Sequence, residues 1–419
     1  MVLQISVVPA NTRTVLPTSP LPALVVVGRV GDLRELLDER DALEKMRGLV
    51  GAHQRALLHF PFRVGGEELF DLGFAERRVF LHGAALLQTR GRFDCVKRLG
   101  SAVVHGVVER VKKILAAVLL LLVVLGVASV WEPDRPVEML TAKWAPPPSQ
   151  FLEISGLRVH LRDVGPRDDP TPLVLLHGTS ASLHTWQGWV SALESQHRVI
   201  TLDLPGFGLT GPWPDGDARL ERTLWLLSEL LKKLQVTRCV LVGNSYGGRL
   251  AWEFAVLHPA VVAKLVLIDA SGYPSTSTSV PLGFRIAQTP GLRRLGEYLL
   301  PRGLIEKSVK NVYGDPSKVT PDLVDRYFEL TLRAGNRAAL GRRMDQVPLE
   351  GETAKLRGLT MPTLIFWGGK DRLIPPENAQ RFKTDLPNST LVIFDALGHV
   401  PHEEDPAATV TELQRFLAD

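Results

Sequence analysis

Cysteine is scarce in this 419-residue chain, which contains only Cys95 and Cys239. Two cysteines set so far apart form neither a disulfide framework nor a zinc site, although their scarcity says little about the compartment. Basic clusters are also lacking: the net charge is +4, and the arginines are interspersed with acidic residues rather than with aromatics. Nucleic-acid-binding proteins usually show a basic face or stripe, so no nucleic-acid partner is predicted.

The first 110 residues lack any motif with a chemical role. They contain no tryptophan or tyrosine, and two lysines against thirteen arginines. Two interpretations stay open for residues 1–110: a small accessory domain, or an over-extended reading of the gene with the true start near Val111. We favour the second, because the residues Val111-Lys-Lys-Ile resemble the opening of a membrane-anchor segment.

A long uncharged run follows this region. Residues 114–131 contain 18 residues without a charge, and as a helix they would extend about 27 Å, close to the hydrocarbon thickness of a bilayer. We therefore predict a transmembrane signal-anchor helix over residues 112–131, which makes the lipid bilayer a partner of the chain. The alternatives are a buried core helix and a signal peptide cleaved after Ser129.

The charges that flank this run predict its orientation. Arg110, Lys112 and Lys113 precede it, whereas mainly acidic residues follow it. The positive-inside rule then places the N-terminus in the cytoplasm and everything after residue 131 outside. The expectation is a single-pass protein of the bacterial inner-membrane type with a periplasmic C-terminal domain.

The pattern after the uncharged run predicts a linker and then one α/β domain. Residues 132–150 contain five prolines, which favour a stiff, extended linker. From Phe151 onward, apolar strand patterns alternate with helical ones, as in a doubly wound, mostly parallel sheet. Strands are predicted over residues 151–155, 157–164, 173–177, 198–202, 239–243, 264–269, 362–367 and 389–394. Helices are predicted over residues 183–194, 217–235, 246–258, 376–386 and 406–418.

One stretch within this domain breaks the alternation. Nearly eighty residues between Ser271 and Pro348 show helical segments and no strand pattern. An insertion of this length after a sheet strand is typical of a lid, so we predict a helical cap over about 271–348.

A Gly-x-Ser-x-Gly sequence indicates a nucleophile. Ser245 lies between Gly243 and Gly247, directly after a predicted strand and before a predicted helix. This strand–turn–helix context is the one in which a serine hydroxyl is exposed at the end of a sheet. We therefore predict that Ser245 is a catalytic nucleophile.

A serine nucleophile needs a base and an acid that orients the base. His399 follows the last predicted strand and is the predicted base, and Asp371 follows the preceding strand and is the predicted acid. The order serine, aspartate, histidine is the one this type of fold requires. Asp269, at the end of an earlier strand, is the rival acid, whereas His402 is expected to be a loop residue.

An oxyanion intermediate also requires two backbone N–H donors. Tyr246 follows the nucleophile and is predicted to supply one of them. Thr179, in the loop after the strand over 173–177, is predicted to supply the other. His177, in the same loop, is expected to have a structural role.

Six motifs in order resemble the α/β-hydrolase superfamily, in its capped serine-hydrolase branch. They are LLHGTSAS (175–182), TLDLPGFGLTG (201–211), LVGNSYGGRLAWEFA (241–255), KLVLIDASG (264–272), MPTLIFWGGKDRLIP (361–375) and GHVPHEEDP (398–406). The resemblance covers about 151–419 and implies an eight-stranded sheet, a helical cap, no cofactor and no metal. It does not name a substrate.

The resemblance leaves two reactions open. The first is cleavage of a small-molecule carboxylic ester with an apolar acyl group, as in esterases and lipases. The second is hydrolysis of carbon–carbon bonds in ring-cleavage products, which is similar in having an asparagine at the position of Asn244. That class resembles a pattern with Gly-Pro-Gly in the oxyanion loop and tryptophan after the catalytic histidine, whereas this chain has Ser180-Ala181-Ser182 and Val400. We therefore expect an ester hydrolase, with Arg249 facing solvent or a neighbouring loop, and several cap residues as candidates for an acyl pocket: Phe284, Leu295, Tyr298, Leu299, Leu300, Tyr327 and Phe328.

Overall fold

The computed structural model describes residues 93–418, apart from residues 275, 276 and 349. The expectations for residues 1–92, including the choice between an accessory domain and an over-extended start, lie outside the described residues. The chain divides into two compact units, and the α/β domain belongs to the second, Ala117–Asp419.

A long helix, α1 (Phe93–Ala128), leads into this domain. The most apolar 18-residue stretch of its segment Val103–Ala128 has a mean hydropathy of 2.5, and none of that stretch is buried. By length and composition it is able to cross a membrane, and it overlaps most of the predicted span over 112–131. The helix ends at Ala128 rather than at residue 131, because the backbone N–H of Leu300 bonds to Val130 and Trp131 pairs with Leu299.

The proline-rich segment 132–149 differs from its predicted form, a stiff, extended linker. It contains a helix, α2 (Val137–Trp144), whose Leu140 is buried against Leu209 and Leu330. The indole N–H of Trp144 also donates a hydrogen bond to Glu329, 2.7 Å away. The prolines lie before and after α2, so they bound this helix without interrupting it.

An eight-stranded sheet forms the centre of the domain. Its strands are β1 (Gln150–Ile154), β2 (Leu157–Val164), β3 (Leu173–Leu176), β4 (Val199–Leu202), β5 (Cys239–Asn244), β6 (Val262–Ile268), β7 (Thr363–Gly368) and β8 (Ser389–Phe394). Their spatial order is β1-β2-β4-β3-β5-β6-β7-β8. Strand β2 is antiparallel to β1 and β4, and the remaining neighbours are parallel. The doubly wound, mostly parallel sheet is confirmed, and the strand ends differ from the prediction by one or two residues.

Helices alternate with these strands and also form an insertion. Those between or after strands are α3 (Gln187–Leu193), α4 (Leu220–Lys233) and α5 (Tyr246–Leu257), and later α11 (Glu377–Asp385), α12 (Pro401–Glu404) and α13 (Pro406–Ala418). The cap, between β6 and β7, contains α6 (Leu282–Gln288), α7 (Pro290–Gly296), α8 (Arg302–Val312), α9 (Pro321–Thr331) and α10 (Asn336–Gln346). The predicted helical cap is therefore present, and its residues lie after the carboxyl end of β6.

The core consists of two apolar layers, one on each face of the sheet. One layer includes Trp252 and Phe254 of α5, and the other includes Trp186, Trp189 and Phe366. Strands β3, β5 and β7 are buried along their whole length, as parallel strands covered on both faces should be. This burial fixes the carboxyl ends of the central strands, where the candidate site lies.

Candidate active site

Ser245 occupies a strained turn between β5 and α5. Its backbone angles are φ 55° and ψ −115°, a combination that a non-glycine residue adopts only when its surroundings enforce it. The backbone N–H of Ser245 donates a hydrogen bond to the carbonyl oxygen of Ile268 at 2.9 Å, which fastens the turn to the end of β6. The strain raises the serine above the strand end while the strand and the helix on either side stay regular.

The two glycines of the motif are required by close backbone contacts at this turn. A Cβ atom at Gly243 would lie 2.1 Å from the carbonyl oxygen of Gly247. A Cβ atom at Gly247 would lie 2.2 Å from the carbonyl oxygen of Leu176. Real Cβ atoms do not approach so closely, so any side chain at either position would push the helix away from the sheet.

His399 and Asp371 form a buried pair at the ends of the neighbouring strands. The Nδ1 atom of His399 lies 2.7 Å from Oδ2 of Asp371. The other carboxylate oxygen of Asp371 accepts hydrogen bonds from the backbone N–H groups of Leu373 and Ile374, at 2.8 and 3.0 Å. These bonds orient the carboxylate, and the carboxylate in turn holds the ring so that Nε2 is the free nitrogen.

Asp269, the rival acid, lies beside this pair but has a different partner. One of its oxygens accepts a hydrogen bond from the backbone N–H of Gly368 at 3.0 Å. Burial raises the pKa of Asp269 well above its usual range, and the nearby charge of Asp371 raises it further. The carboxylate that contacts His399 is therefore Asp371, and the surroundings of Asp269 favour its protonated form.

The predicted oxyanion residues share a cleft with the serine. Thr179, Ser245 and Tyr246 all line a cleft of about 420 Å³. Tyr246 is the first residue of α5, so its backbone N–H is among those that the helix leaves without an internal partner. The structure thus brings together three of the five predicted site residues in the cleft and joins the other two as the His399–Asp371 pair.

Two further histidines near the site are held by structural contacts. His177 is fully buried, with Nδ1 2.7 Å from the carbonyl oxygen of Gly178 and Nε2 accepting from the N–H of Leu204. His402 is buried against Trp186, with ring centroids 4.1 Å apart. Burial lowers the pKa of both imidazoles, so both are neutral at pH 7. These contacts fit the structural role expected of His177, whereas His402, which was expected in a loop, lies buried in helix α12.

With this geometry in view, comparison with known proteins identifies the family. The family model described as the alpha/beta hydrolase fold matches residues 171–406, which include the whole elbow and the His399–Asp371 pair. The chain belongs to this family. It is an α/β hydrolase.

Curated relatives of this α/β hydrolase include enzymes of known and unknown activity. An uncharacterised hydrolase of Bacillus subtilis is 29% identical over 251 residues, which are 58% of this chain and 89% of the relative. A 2-hydroxy-6-oxononadienedioate/2-hydroxy-6-oxononatrienedioate hydrolase of Cupriavidus pinatubonensis is 30% identical over 265 residues, 60% of this chain and 89% of the relative.

Solved structures give a similar range. A membrane phospholipase A, described as a bacterial virulence factor, is 26% identical with a TM-score of 0.56, and the match covers 73% of this chain and 98% of that protein. A meta-cleavage product hydrolase of Pseudomonas fluorescens is 22% identical with a TM-score of 0.56, and the match covers 64% of this chain and 97% of that protein, which supports the fold alone.

A second cavity of this α/β hydrolase lies under the cap. Its volume is about 140 Å³, and it shares Thr179 and Phe284 with the serine cleft. Of the seven cap residues proposed for an acyl pocket, Phe284, Leu299, Leu300 and Tyr327 line this cavity. Leu295 and Tyr298 are instead exposed, and Phe328 packs inside the cap against Leu300. The helical spacing in the sequence does not by itself distinguish these three positions from the four that line the cavity.

Two arginines at the cleft were not predicted as cleft residues. Arg249 is buried: its Nε bonds to Glu253 at 2.7 Å, and its Nη1 contacts the carbonyl oxygen of Pro348. Of the two expected surroundings of Arg249, solvent or a neighbouring loop, the structure shows the second, because the segment around Pro348 folds over the start of α5. Arg343, from α10 of the cap, also lines the cleft. The sequence around Arg343, which includes Arg342, contains no pattern that predicts a position in the cleft for Arg343.

Proposed function

We propose that this α/β hydrolase is a membrane-anchored serine hydrolase that cleaves carboxylic esters with apolar acyl groups. The observation that carries the proposal is the junction of the cleft and the cavity under the cap. The cleft contains Ser245, and the cavity beside it is lined mainly by apolar side chains. Apolar cavities of this size stay dry and take up apolar ligands, so the acyl chain would enter the cavity.

The mechanism follows from the positions of the five site residues. His399 takes the proton of the Ser245 hydroxyl as the oxygen attacks the ester carbonyl, and Asp371 holds the imidazole and stabilises the imidazolium. The backbone N–H groups of Thr179 and Tyr246 stabilise the oxyanion. His399 then protonates the leaving alkoxide, and water releases the acid from the acyl-enzyme by the same steps in reverse order.

The membrane part of the proposal rests on α1 and on the surface of the cap. Trp131 lies three residues after the end of the apolar helix and stacks on Tyr298, with ring centroids 5.6 Å apart, and both side chains are about half exposed. Leu292 and Leu295, on the preceding cap helix, are also exposed. Tryptophan and tyrosine are typical of the membrane–water interface, so these residues are suited to rest against the bilayer that holds α1.

Fractionation and protease protection test the anchor and its orientation. The full chain should remain with the membrane after carbonate extraction, and protease added outside the inner membrane should reach the α/β domain. Release of a soluble enzyme by cleavage after Ser129 would instead identify a signal peptide, and protection of the domain would place it in the cytoplasm.

Carbon–carbon hydrolysis is the second candidate, favoured by the name of the Cupriavidus relative and by the cap arginine Arg343 in the cleft. Two observations weigh against it. The side-chain amide of Asn244 already donates hydrogen bonds to the carbonyl oxygens of Ile268 and His399. The loop from His177 to Gln187 contains no asparagine. Ester cleavage requires only the elements already named, so it is the simpler reaction for this site.

A panel of substrates separates the two reactions. Aryl esters of acids of rising chain length should be turned over by the detergent-solubilised chain, with the highest kcat/KM for medium chains. The visible absorbance of a 2-hydroxy-6-oxodienoate should persist. Rapid bleaching of the dienoate together with poor ester turnover would reverse the assignment, and Ser245→Ala should abolish either activity.

A further inference from the structure

Arg343 joins the two residues proposed to form the oxyanion site. Its Nη2 donates a hydrogen bond to Oγ1 of Thr179 at 2.9 Å. Its guanidinium carbon lies 4.5 Å from the centroid of the Tyr246 ring, in a cation–π contact. The positive charge of Arg343 therefore lies beside the proposed reacting centre, because Arg343 lines the cleft and does not line the apolar cavity.

This charge has no acidic partner in the part of the chain that the structure describes. Four other cap arginines each contact a carboxylate: Arg293 with Asp345, Arg302 with Asp325, Arg326 with Glu403 and Arg337 with Asp134. For Arg343, no described carboxylate oxygen lies within 4.0 Å, and its buried Nε has no hydrogen-bond partner among the described residues. Loss of water around the guanidinium lowers the pKa of Arg343, and the positive charge of Arg249 lowers it further.

The other charged groups at the cleft do not neutralise Arg343. Arg249 is paired with Glu253, so these two charges compensate each other. Glu350 also lines the cleft but is exposed to solvent at its rim. A partly desolvated guanidinium with free N–H donors is therefore available to whatever enters the cleft.

We propose that Arg343 is a binding residue for an anionic group on the alcohol side of the substrate. A guanidinium presents paired N–H donors that match the oxygens of a phosphate or a carboxylate. Because Arg343 lines the cleft and the apolar cavity takes the acyl chain, the anion belongs to the leaving alcohol. This inference rests on the proposed function, and it specifies the substrate as an ester with an apolar acid and an anionic alcohol.

Three decanoyl esters with one acyl chain test this selectivity. They are 1-decanoylglycerol, which is neutral, 1-decanoylglycerol 3-phosphate, and the decanoyl ester of glyceric acid, which carries a carboxylate. The detergent-solubilised full chain should show a higher kcat/KM for the anionic esters, and the better of the two identifies the anion. Arg343→Gln should lower kcat/KM for that ester by roughly 10- to 100-fold and for the neutral ester much less.

Two further variants make the comparison specific. Arg343→Lys keeps the charge without the paired donors, so it should retain part of the selectivity. Arg342→Gln makes the same change one residue earlier, outside the cleft, and should keep the wild-type ratio of anionic to neutral kcat/KM. Since each ester is compared across variants, differences in the micellar state of the substrates cancel. Equal losses on all three esters in Arg343→Gln would show that Arg343 only supports the fold, and would overturn the proposal.

A binding measurement separates failure of this inference from failure of the proposed function. If the wild-type chain cleaves none of the three esters, the ester assignment fails. Inorganic phosphate should still raise the Tm of the Ser245→Ala variant, and the shift should disappear when Arg343→Gln is added. Absence of a Tm shift in Ser245→Ala at millimolar phosphate, or its persistence without Arg343, would overturn the anion site itself.

Discussion

Asn244 donates a hydrogen bond from Nδ2 to the carbonyl oxygen of His399 at 3.0 Å. The same amide donates a second bond to the carbonyl oxygen of Ile268 at 3.2 Å. The residue before the nucleophile thereby holds the loop of the proposed base, 155 positions away in sequence. Asn244 is buried and is not among the residues that line the cleft, so its role is one of positioning.

Replacing Asn244 by leucine should lower kcat by about 10-fold or more with little change in KM. The change removes the Nδ2 donor from the carbonyl oxygen of His399, whereas the carbonyl oxygen of Ile268 keeps its bond from the N–H of Ser245, so His399 is no longer held in register with Ser245. Asn388→Leu is the matched control, because Asn388 makes a similar amide–carbonyl bond to Thr360 at the surface. A loss confined to KM would contradict the positioning role.

The two neighbouring carboxyl groups should differ greatly in their effect on turnover. Asp371→Asn should lower kcat by about 10³- to 10⁴-fold, because an amide favours the wrong tautomer of His399. Asp269→Asn should cost less than about 10-fold, since the raised pKa of Asp269 favours its protonated form, which a neutral amide resembles. If Asp269→Asn is the more damaging change, Asp269 is the orienting acid and the assignment of Asp371 is wrong.

Helix α2 should contribute measurably to the stability of the α/β domain. Leu140→Ala should lower the free energy of unfolding by about 2–4 kcal/mol, because Leu140 is only 3% exposed in its contact with Leu209 and Leu330. Met139, its neighbour in sequence, is 69% exposed, so Met139→Ala should change the free energy by less than about 0.5 kcal/mol. Urea unfolding of the solubilised chain measures both, and equal values would mean that the helix does not dock in solution.

Buried histidines predict a loss of stability in mild acid. Burial lowers the pKa of His184 to about 3 and also lowers those of His177 and His402. Below about pH 6.5 the unfolded chain binds protons at these positions that the folded chain excludes, so the free energy of unfolding falls as the pH decreases. Each histidine contributes a slope of about 1.4 kcal/mol per pH unit between its two pKa values.

The ionisation of Asp269 changes the free energy of unfolding with pH in the direction opposite to that of the buried histidines. Its folded pKa is raised, so between about pH 4 and that value the folded state holds a proton that the unfolded state has lost. Urea unfolding between pH 6.5 and 5 should therefore show a shallower dependence on pH in His184→Gln and a steeper one in Asp269→Asn. Changes of the same sign in the two variants would contradict these ionisation states.

The structure confirms the sheet that the sequence predicted, and the roles of the five site residues stay a prediction. Both rest on signals that are local in the sequence. Buried strands of four to eight residues and the glycines around Ser245 can be recognised within a short window. The docking of α2 left a weaker signal, since Val137, Leu140 and Trp144 share one helical face but are surrounded by prolines. The contacts of Asn244 and Arg343 could not be predicted from the sequence, because their partners, His399 and Thr179, lie more than 150 positions away.

The pairing of Val130 and Trp131 with the cap leaves almost no free chain between α1 and the α/β domain. Only Ser129 separates the end of α1 from the first residue bonded to the cap, whereas an undocked segment over 129–149 would allow an excursion of about 70 Å. In the proposed membrane-anchored enzyme, this short connection would keep the cap at a nearly constant distance from the bilayer. A rotation or tilt of the proposed membrane helix would then move the cap residues that line the cavity.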